Sequence, residues 1–427
     1  MTRALVSCLA VLFLSSAPLC GLAQAGQGGG SPLDGWDFRL KEFVIGAWLG
    51  PDGTDAEIRV YEEAGFNVVM VGRYMSRGGV YADPDSVARE LDLAHKHGLW
   101  AMLDTYTRDN KPWGGVIPAG ADTGHHNATL EEIRSIHERF GKHPALAGYM
   151  LGDDQGQMAG RLGETTAYLH ENAPDMIPWV CGWVSAADLA THGNPFVNWQ
   201  IYPTLYNTGE PAEVQARQYC DAFDNMRKQC EECGTVPWPM INADGDDVSD
   251  STLRFPLYAP LAYGAQGLWY FTYRNSMTYG KEGEAGYDDY EQALRNVTKL
   301  YRVGKTANWR IREWGPELLG RTSTARFSTG WAAPSAEDPG PGKLVASMDP
   351  DVLVGILEKP GEPKLALVVD KRVSKEFGAT KPRALTVTFG DGVHELEIVG
   401  NGDGQEVQGR TARLTLAGGE GALLKLR

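Results

Sequence analysis

The chain has 427 residues, 42% hydrophobic and 22% charged, with a formal net charge of −15 at pH 7. This is a globular balance with enough length for more than one domain. The acidic surplus repels phosphate backbones and argues against a nucleic-acid partner, but says little about neutral substrates such as sugars.

The first stretch, MTRALVSCLAVLFLSSAPLCGLAQA, has Arg3 in a short start, an apolar run from Ala4 to Leu14, and Ala23 and Ala25 flanking Gln24. That spacing suits a signal peptidase, so residues 1–25 are expected to be a cleaved signal peptide of a secreted or periplasmic protein. Cys20 is not expected to carry a lipid anchor, because Leu19 stands where such sites want a small residue. No later apolar run has the ~18 residues of a membrane span. Oligomeric state is not legible.

From Phe43 onward short apolar runs alternate with helical patterns. FVIGAWLG predicts the first strand, and DAEIRVYEEAG a helix stopped by Gly65. FNVVMVGR is the second strand, followed by PDSVARELDLAHKHG with Val87, Leu91 and Ala94 at helical spacing. LWAMLDTYT is the third, a Gly- and Pro-rich loop follows, and Thr129 and Glu132 then have capping-box spacing. GYMLGDDQG, IPWVCGWVS, FVNWQIYPT, VPWPMINADG and AQGLWYFTYR continue as strands four to eight. Runs continuous in hydrophobicity, not alternating, imply a parallel sheet buried on both faces. Eight of them with intervening helices predict a (β/α)8 TIM barrel over residues 26–320.

The pattern changes after about Leu318. A Pro/Gly-rich stretch, WAAPSAEDPGPGK, precedes period-two segments such as ALTVTF, where Leu385, Val387 and Phe389 share one face. Residues 321–427 are expected to form a small C-terminal antiparallel β-sandwich domain.

In such barrels the active site lies where the strands end. Those positions supply Trp48, Arg73, Asp104 and Tyr106, Asp153 and Asp154, Trp183, Gln200 and Tyr202, Asn242, Asp244 and Asp246, then Trp269, Tyr273 and Arg274. Carboxylates, guanidiniums and aromatic rings together suit sugars, whose hydroxyls need planar polar partners while their C–H faces stack on rings. The plainer reading is structural. Adjacent aspartates also cap helices, Asp104 could pair with Arg73, and the Asp244–Asp247 run also suits a solvated or calcium-binding loop. His125–His126 has no third ligand spaced for a metal, and neither metal nor cofactor is expected. Asn127 and Asn296 each begin a glycosylation sequon. Beyond the leader, Cys181, Cys220, Cys230 and Cys233 remain; the last two lack a second ligand pair for zinc, and a disulfide among the four is the expectation.

HPALAGYMLGDDQG is similar to the fourth-strand segment of barrel glycoside hydrolases of the clan A type and their uncharacterised secreted bacterial relatives, approximately HPALLGWYLGDEP; NWQIYPT and YAPLAYGAQGLWYFTYR resemble their sixth strand and their last helix and eighth strand. The resemblance covers the barrel and implies hydrolysis of glycosidic bonds in an oligo- or polysaccharide. It implies Asp154 as the proton donor, where those relatives have Glu, and Gln155 stands in place of Pro. Aspartate is shorter by one C–C bond, about 1.5 Å of reach. The family's nucleophile is a Glu on strand seven; VPWPMINADGDD has none, and Asp244, then Asp246, is the nearest substitute. Paired carboxylates work at roughly 5–5.5 Å for retention and about 6.5–9.5 Å for inversion. The missing glutamates leave open a non-catalytic glycan-binding pseudoenzyme, or a carbohydrate-active enzyme using aspartates on other strands.

Overall fold

The computed structural model describes residues 31–72, 84–105, 129–153, 159–182, 184–280, 286–400 and 404–427, which form one compact unit. Eight strands make a parallel sheet: β1 (Val44–Ala47), β2 (Val68–Val71), β3 (Trp100–Asp104), β4 (Leu146–Asp153), β5 (Ile177–Cys181), β6 (Gln200–Ile201), β7 (Met240–Asn242) and β8 (Gly267–Phe271). Each pairs with its neighbour in sequence from β1 to β5 and from β6 to β8, and β8 pairs with β1. The ring closes through the parallel bridge Cys181–Asn198, where Gly182 N donates to Asn198 O at 3.0 Å. This is the expected eight-stranded parallel barrel.

Strand alternation fills both sides. Val68, Met70, Met102, Met150, Trp179, Met240 and Trp269 belong to an apolar cluster inside the ring. Val69, Val71, Leu103, Leu151, Val180 and Ile241 belong to another that packs outward on the helices. Burial on both faces is what continuous hydrophobic runs require.

The helices are α1 (Asp55–Glu63), α2 (Pro84–Lys96), α3 (Leu130–Phe140), α4 (Ala159–Asn172), α5 (Ala186–Thr191), α6 (Ala212–Cys233), α7 (Asp250–Ala262) and α8 (Lys299–Leu318), with short turns at Pro203–Tyr206 and Tyr290–Arg295. The capping box of α3 forms: Glu132 N donates to Thr129 Oγ1 at 3.2 Å, and Thr129 N to Glu132 Oε2 at 2.7 Å. The sixth and seventh apolar runs are each split, with Phe196–Val197 pairing Val236–Pro237 ahead of β6 and β7. Asn198 interrupts the first run by donating its side-chain amide to the Trp238 carbonyl. Among the described residues no helix is long and apolar enough to cross a membrane.

The cysteines depart from expectation. Cys181, Cys220, Cys230 and Cys233 are all free thiols. Cys181 lies inside the barrel with its Sγ 3.9 Å from Met240 Sδ, while the other three sit on α6, Cys220 and Cys230 buried among apolar side chains. Burial pushes both of those thiols up to about 12, which suits inert core residues.

After α8 come antiparallel strands β9 (Thr322–Ser328), β10 (Val345–Met348), β11 (Val352–Glu358), β12 (Lys364–Asp370), β13 (Arg383–Phe389), β14 (Leu396–Ile398), β15 (Gln405–Gln408), β16 (Thr411–Leu416) and β17 (Gly421–Leu426). One sheet has the order β9-β11-β12-β17-β14, the other β10-β13-β16-β15. Val354, Ile356 and Val368 of the first share a cluster with Leu385, Val387 and Leu414 of the second. Alternate residues Leu353, Leu357, Leu367 and Val369 join the barrel's outer core. The sheet meets α7 at Gly355, where a Cβ would lie 2.3 Å from Ala262 O, so only glycine fits.

Candidate functional site

Parallel strands that end together bring their following residues to one rim. On β7 that rim begins at Asn242, which is fully buried; its Nδ2 donates to Thr204 Oγ1 at 2.7 Å and to Asp244 O at 2.6 Å, and its Oδ1 accepts from Asp244 N at 3.2 Å. The amide therefore fixes the turn that presents Asp244. The Asp244 carboxyl is half-buried and accepts from Gly245 N at 2.9 Å. Burial pushes it above the ordinary carboxylate range against that hydrogen bond, and neighbouring Asp246, itself exposed, adds to the rise. A carboxyl with this environment holds its proton to higher pH than a solvated one.

Beside it stands an aromatic wall. Phe271, paired in register with Asn242, stacks on Tyr202 at 4.6 Å between centroids, and Tyr202 lies 5.8 Å from Tyr206, which is 67% exposed. Tyr202 itself is buried and turns its hydroxyl to Met240 Sδ at 2.8 Å. Phe271 and Tyr206 were not among the residues expected from sequence; the alternation of β8 and the short turn after β6 that bring them together are set by tertiary structure.

Two expected groove residues are corrected. Trp269 is fully buried inside the barrel, stacked on Trp179, because inward positions of β5 and β8 face each other. Tyr273 is fully buried outside the barrel, edge-on to Tyr61 at 4.8 Å and to Phe66 at 5.7 Å, and its hydroxyl has no hydrogen-bond partner among the described residues. Arg274 is also buried: its backbone N donates to Leu49 O at 2.9 Å, and its guanidinium lies 3.9 Å from Asp52 Oδ1. Asp52 and Glu57 are buried carboxylates that sequence reading missed. Asp52 Oδ2 accepts from Gly286 N at 2.7 Å, and Glu57 Oε1 from Tyr287 N at 3.2 Å, so together they clasp the segment beyond β8 against α1. Burial raises the Glu57 carboxyl, against the Tyr287 amide and Arg274, and Asp52 reinforces the rise. The signal for this clasp was the Asp, Thr and Glu spacing after the first strand, which reads equally well as an ordinary helix cap.

Trp48 and Asp104 sit buried at the ends of their strands, and Trp48 meets Trp179 edge-on at 6.2 Å. Asp153 ends β4 in register with Cys181, at the same end of the barrel as Asn242. Arg73, Tyr106, Asp154 and Trp183 lie outside the described residues, as does the Asp153 side chain.

No family model matches the chain, and no curated protein sequence does. Among solved structures it is similar to a family 39 glycoside hydrolase from the gut symbiont Bacteroides cellulosilyticus WH2, with TM-score 0.50 and 11% identity over 93% of this chain and 81% of that one. It is also similar to a pullulanase from Paenibacillus barengoltzii complexed with maltotriose, with TM-score 0.51 and 11% identity over 93% and 78%. At such identities the likeness is one of fold alone, an eight-stranded parallel barrel.

Proposed function

We propose that the chain is a glycoside hydrolase acting on an oligo- or polysaccharide, with Asp244 and Asp154 as its two carboxylates. The observation that carries this reading is Asp244, a half-buried carboxyl raised by desolvation, fixed on its turn by Asn242 at the end of β7. A carboxyl that stays protonated near its working pH serves as a general acid, and a desolvated carboxylate serves as a nucleophile or base. The exposed ring of Tyr206 and the adjoining Phe271 supply a stacking surface for sugar C–H faces. On this reading Asp153, Asp246, Asp104, Arg73, Tyr106, Trp48 and Trp183 surround the substrate.

The organisation follows the same reading: a leader over 1–25 that directs secretion, a catalytic barrel over 26–320, and a β-sandwich over 321–427. The gap between α8 and β9 supports the second boundary, and the apolar cluster shared by the two antiparallel sheets supports the sandwich.

The test is product release, by mass spectrometry, from a broad panel of oligo- and polysaccharides with the mature protein beside Asp154→Asn and Asp244→Asn. Release that falls about 10²- to 10⁴-fold in each variant is expected. No release by the unmodified protein, or release unchanged in both variants, overturns the reading, and glycan binding without release identifies a pseudoenzyme.

A further inference from the structure

A cavity of about 430 Å³ lies away from the barrel interior, where α7 and α8 meet the loops of the antiparallel sheets. It falls within the common range of small-ligand sites, about 300–1,000 Å³. Its walls include Arg254, Tyr258, Lys299, Arg302, Phe377 and Glu420, with apolar Val303 and Ala307 between the charged groups.

The charges are unevenly satisfied. Arg254 donates to Asp250 Oδ2 and to Gly418 O, both at 2.8 Å, and Glu420 is held by Arg310. Lys299 and Arg302 are exposed, and neither has a carboxylate within ion-pair distance among the described residues. Both lie in the first turn of α8, which has no acidic residue. The helix dipole disfavours cations there, so local stability does not explain them. On a chain of net charge −15, the cavity is a cationic island.

The aromatic wall is built to stay in place. Phe377 is 44% exposed, and Lys299 Nζ lies 5.5 Å above its ring. Its loop is pinned to the start of α7: Ser249 Oγ donates to Ser374 O at 2.5 Å, Ser374 N to Ser251 Oγ at 2.9 Å, and Gly378 N to Asp250 Oδ1 at 2.8 Å. A fixed ring binds at lower entropic cost than a mobile one. The same loop reaches the barrel rim, where Lys375 Nζ donates to Asp247 Oδ2 at 2.6 Å, three residues from Asp244. The helices also begin at the end of the barrel where the strands finish, which puts Lys299 and Arg302, in the first turn of α8, on the side of the barrel that carries Asp244.

We infer that this cavity is a second glycan site, which takes an anionic sugar residue of a chain extending from the barrel mouth. The sugar's C–H face would stack on Phe377, and its carboxylate or sulfate would sit between Lys299 and Arg302. This inference rests on the glycosidase reading for its sugar class.

The test is calorimetric titration of the full chain carrying Asp244→Asn with three probes: a hexa-uronate, a sulfated hexasaccharide and a neutral glucose hexasaccharide. Lys299→Glu with Arg302→Glu is expected to weaken binding of an anionic probe at least about tenfold. Phe377→Ala should weaken it several-fold, and the neutral probe should be indifferent to the charge reversal. The anionic arm that binds identifies carboxylate or sulfate. Absence of binding to either anionic probe, or binding unaltered by the charge reversal, overturns the site. Because titration needs no turnover, this outcome is separable from failed product release; in the otherwise unmodified protein, the same charge reversal should leave turnover of short neutral substrates intact.

Discussion

Trp179 on β5 and Trp269 on β8 stack across the barrel interior with centroids 4.1 Å apart and planes 14° from parallel. A Cβ added at Gly46 on β1 would lie 2.5 Å from the Trp269 ring, so β1 has a glycine because the indole occupies that space. Two large planar side chains in register fill a barrel that smaller residues would leave hollow. Trp269→Ala should cost about 3–5 kcal/mol in urea unfolding. Gly46→Ala should cost about 1–3 kcal/mol by overpacking, and much less beside Trp269→Leu. Equal costs in the two backgrounds would show that the contact does not constrain β1.

Asp244 should affect stability with a definite sign. Its folded carboxyl titrates above its ordinary value of 3.8, so between the unfolded and folded values the folded chain binds the extra proton. Stability from this group therefore falls as pH rises through that window. Asp244→Asn removes the penalty: it should raise the urea midpoint at neutral pH and converge with the unmodified protein in acid, while lowering product release about 10²- to 10⁴-fold. A variant that loses both activity and stability at pH 7 would mean that the carboxylate holds the rim together.

The barrel was legible because burial on both faces leaves a mark at each residue: Val68 to Val71 are apolar without alternation, and Gly65 and Gly98 adopt the positive φ of their helix stops. Leu385, Val387 and Phe389 likewise marked a sheet face. The rim was less legible. Position after a strand singled out Asp244 as a candidate, but side-chain direction is not in the pattern: Trp269 points inward, Tyr273 packs outside, and Asn242 spends its amide on the turn. Asp52 and Glu57 escaped notice because their partners are backbone amides more than 200 residues away.

Asp224 links α6 to the segment after β9. Its carboxylate takes Arg227 at 2.9 Å, Lys228 at 2.7 Å and Ser335 Oγ at 2.6 Å. Burial pushes the carboxyl up, but the Lys228, Ser335 and Arg227 hydrogen bonds outweigh it and hold the group below its ordinary value. Its stabilisation is present above 3.8 and lost as pH falls through the folded value. Asp224→Ala leaves the buried guanidinium of Arg227 with Glu231 as its one remaining carboxylate, 2.6 Å away, and should cost about 1–3 kcal/mol at pH 7. The deficit should shrink in strong acid, and a deficit constant with pH would mean that packing, not charge, is lost.

Lys371 gives a slope of the same sign as Asp224, but in alkali. It is 1% exposed; its Nζ donates to Ser328 Oγ at 2.6 Å and to the Trp331 carbonyl, and lies 4.0 Å above the Trp331 ring. Burial lowers the ammonium from 10.5 to about 8, with Cys220, Asp351 and Glu213 opposing the shift and Arg217 adding to it. Between those two values the unfolded chain holds a proton that the folded chain has released, so stability rises with pH across the window. Lys371→Met keeps most of the volume and removes the titration. Urea midpoints for the two proteins should therefore diverge between pH 8 and about 10.5, the unmodified chain gaining relative to the variant, with tyrosine titration cancelling in the difference. Parallel curves would show that the folded ammonium titrates as an exposed lysine does, and that its hydrogen bonds to Ser328 and Trp331 compensate fully for its burial.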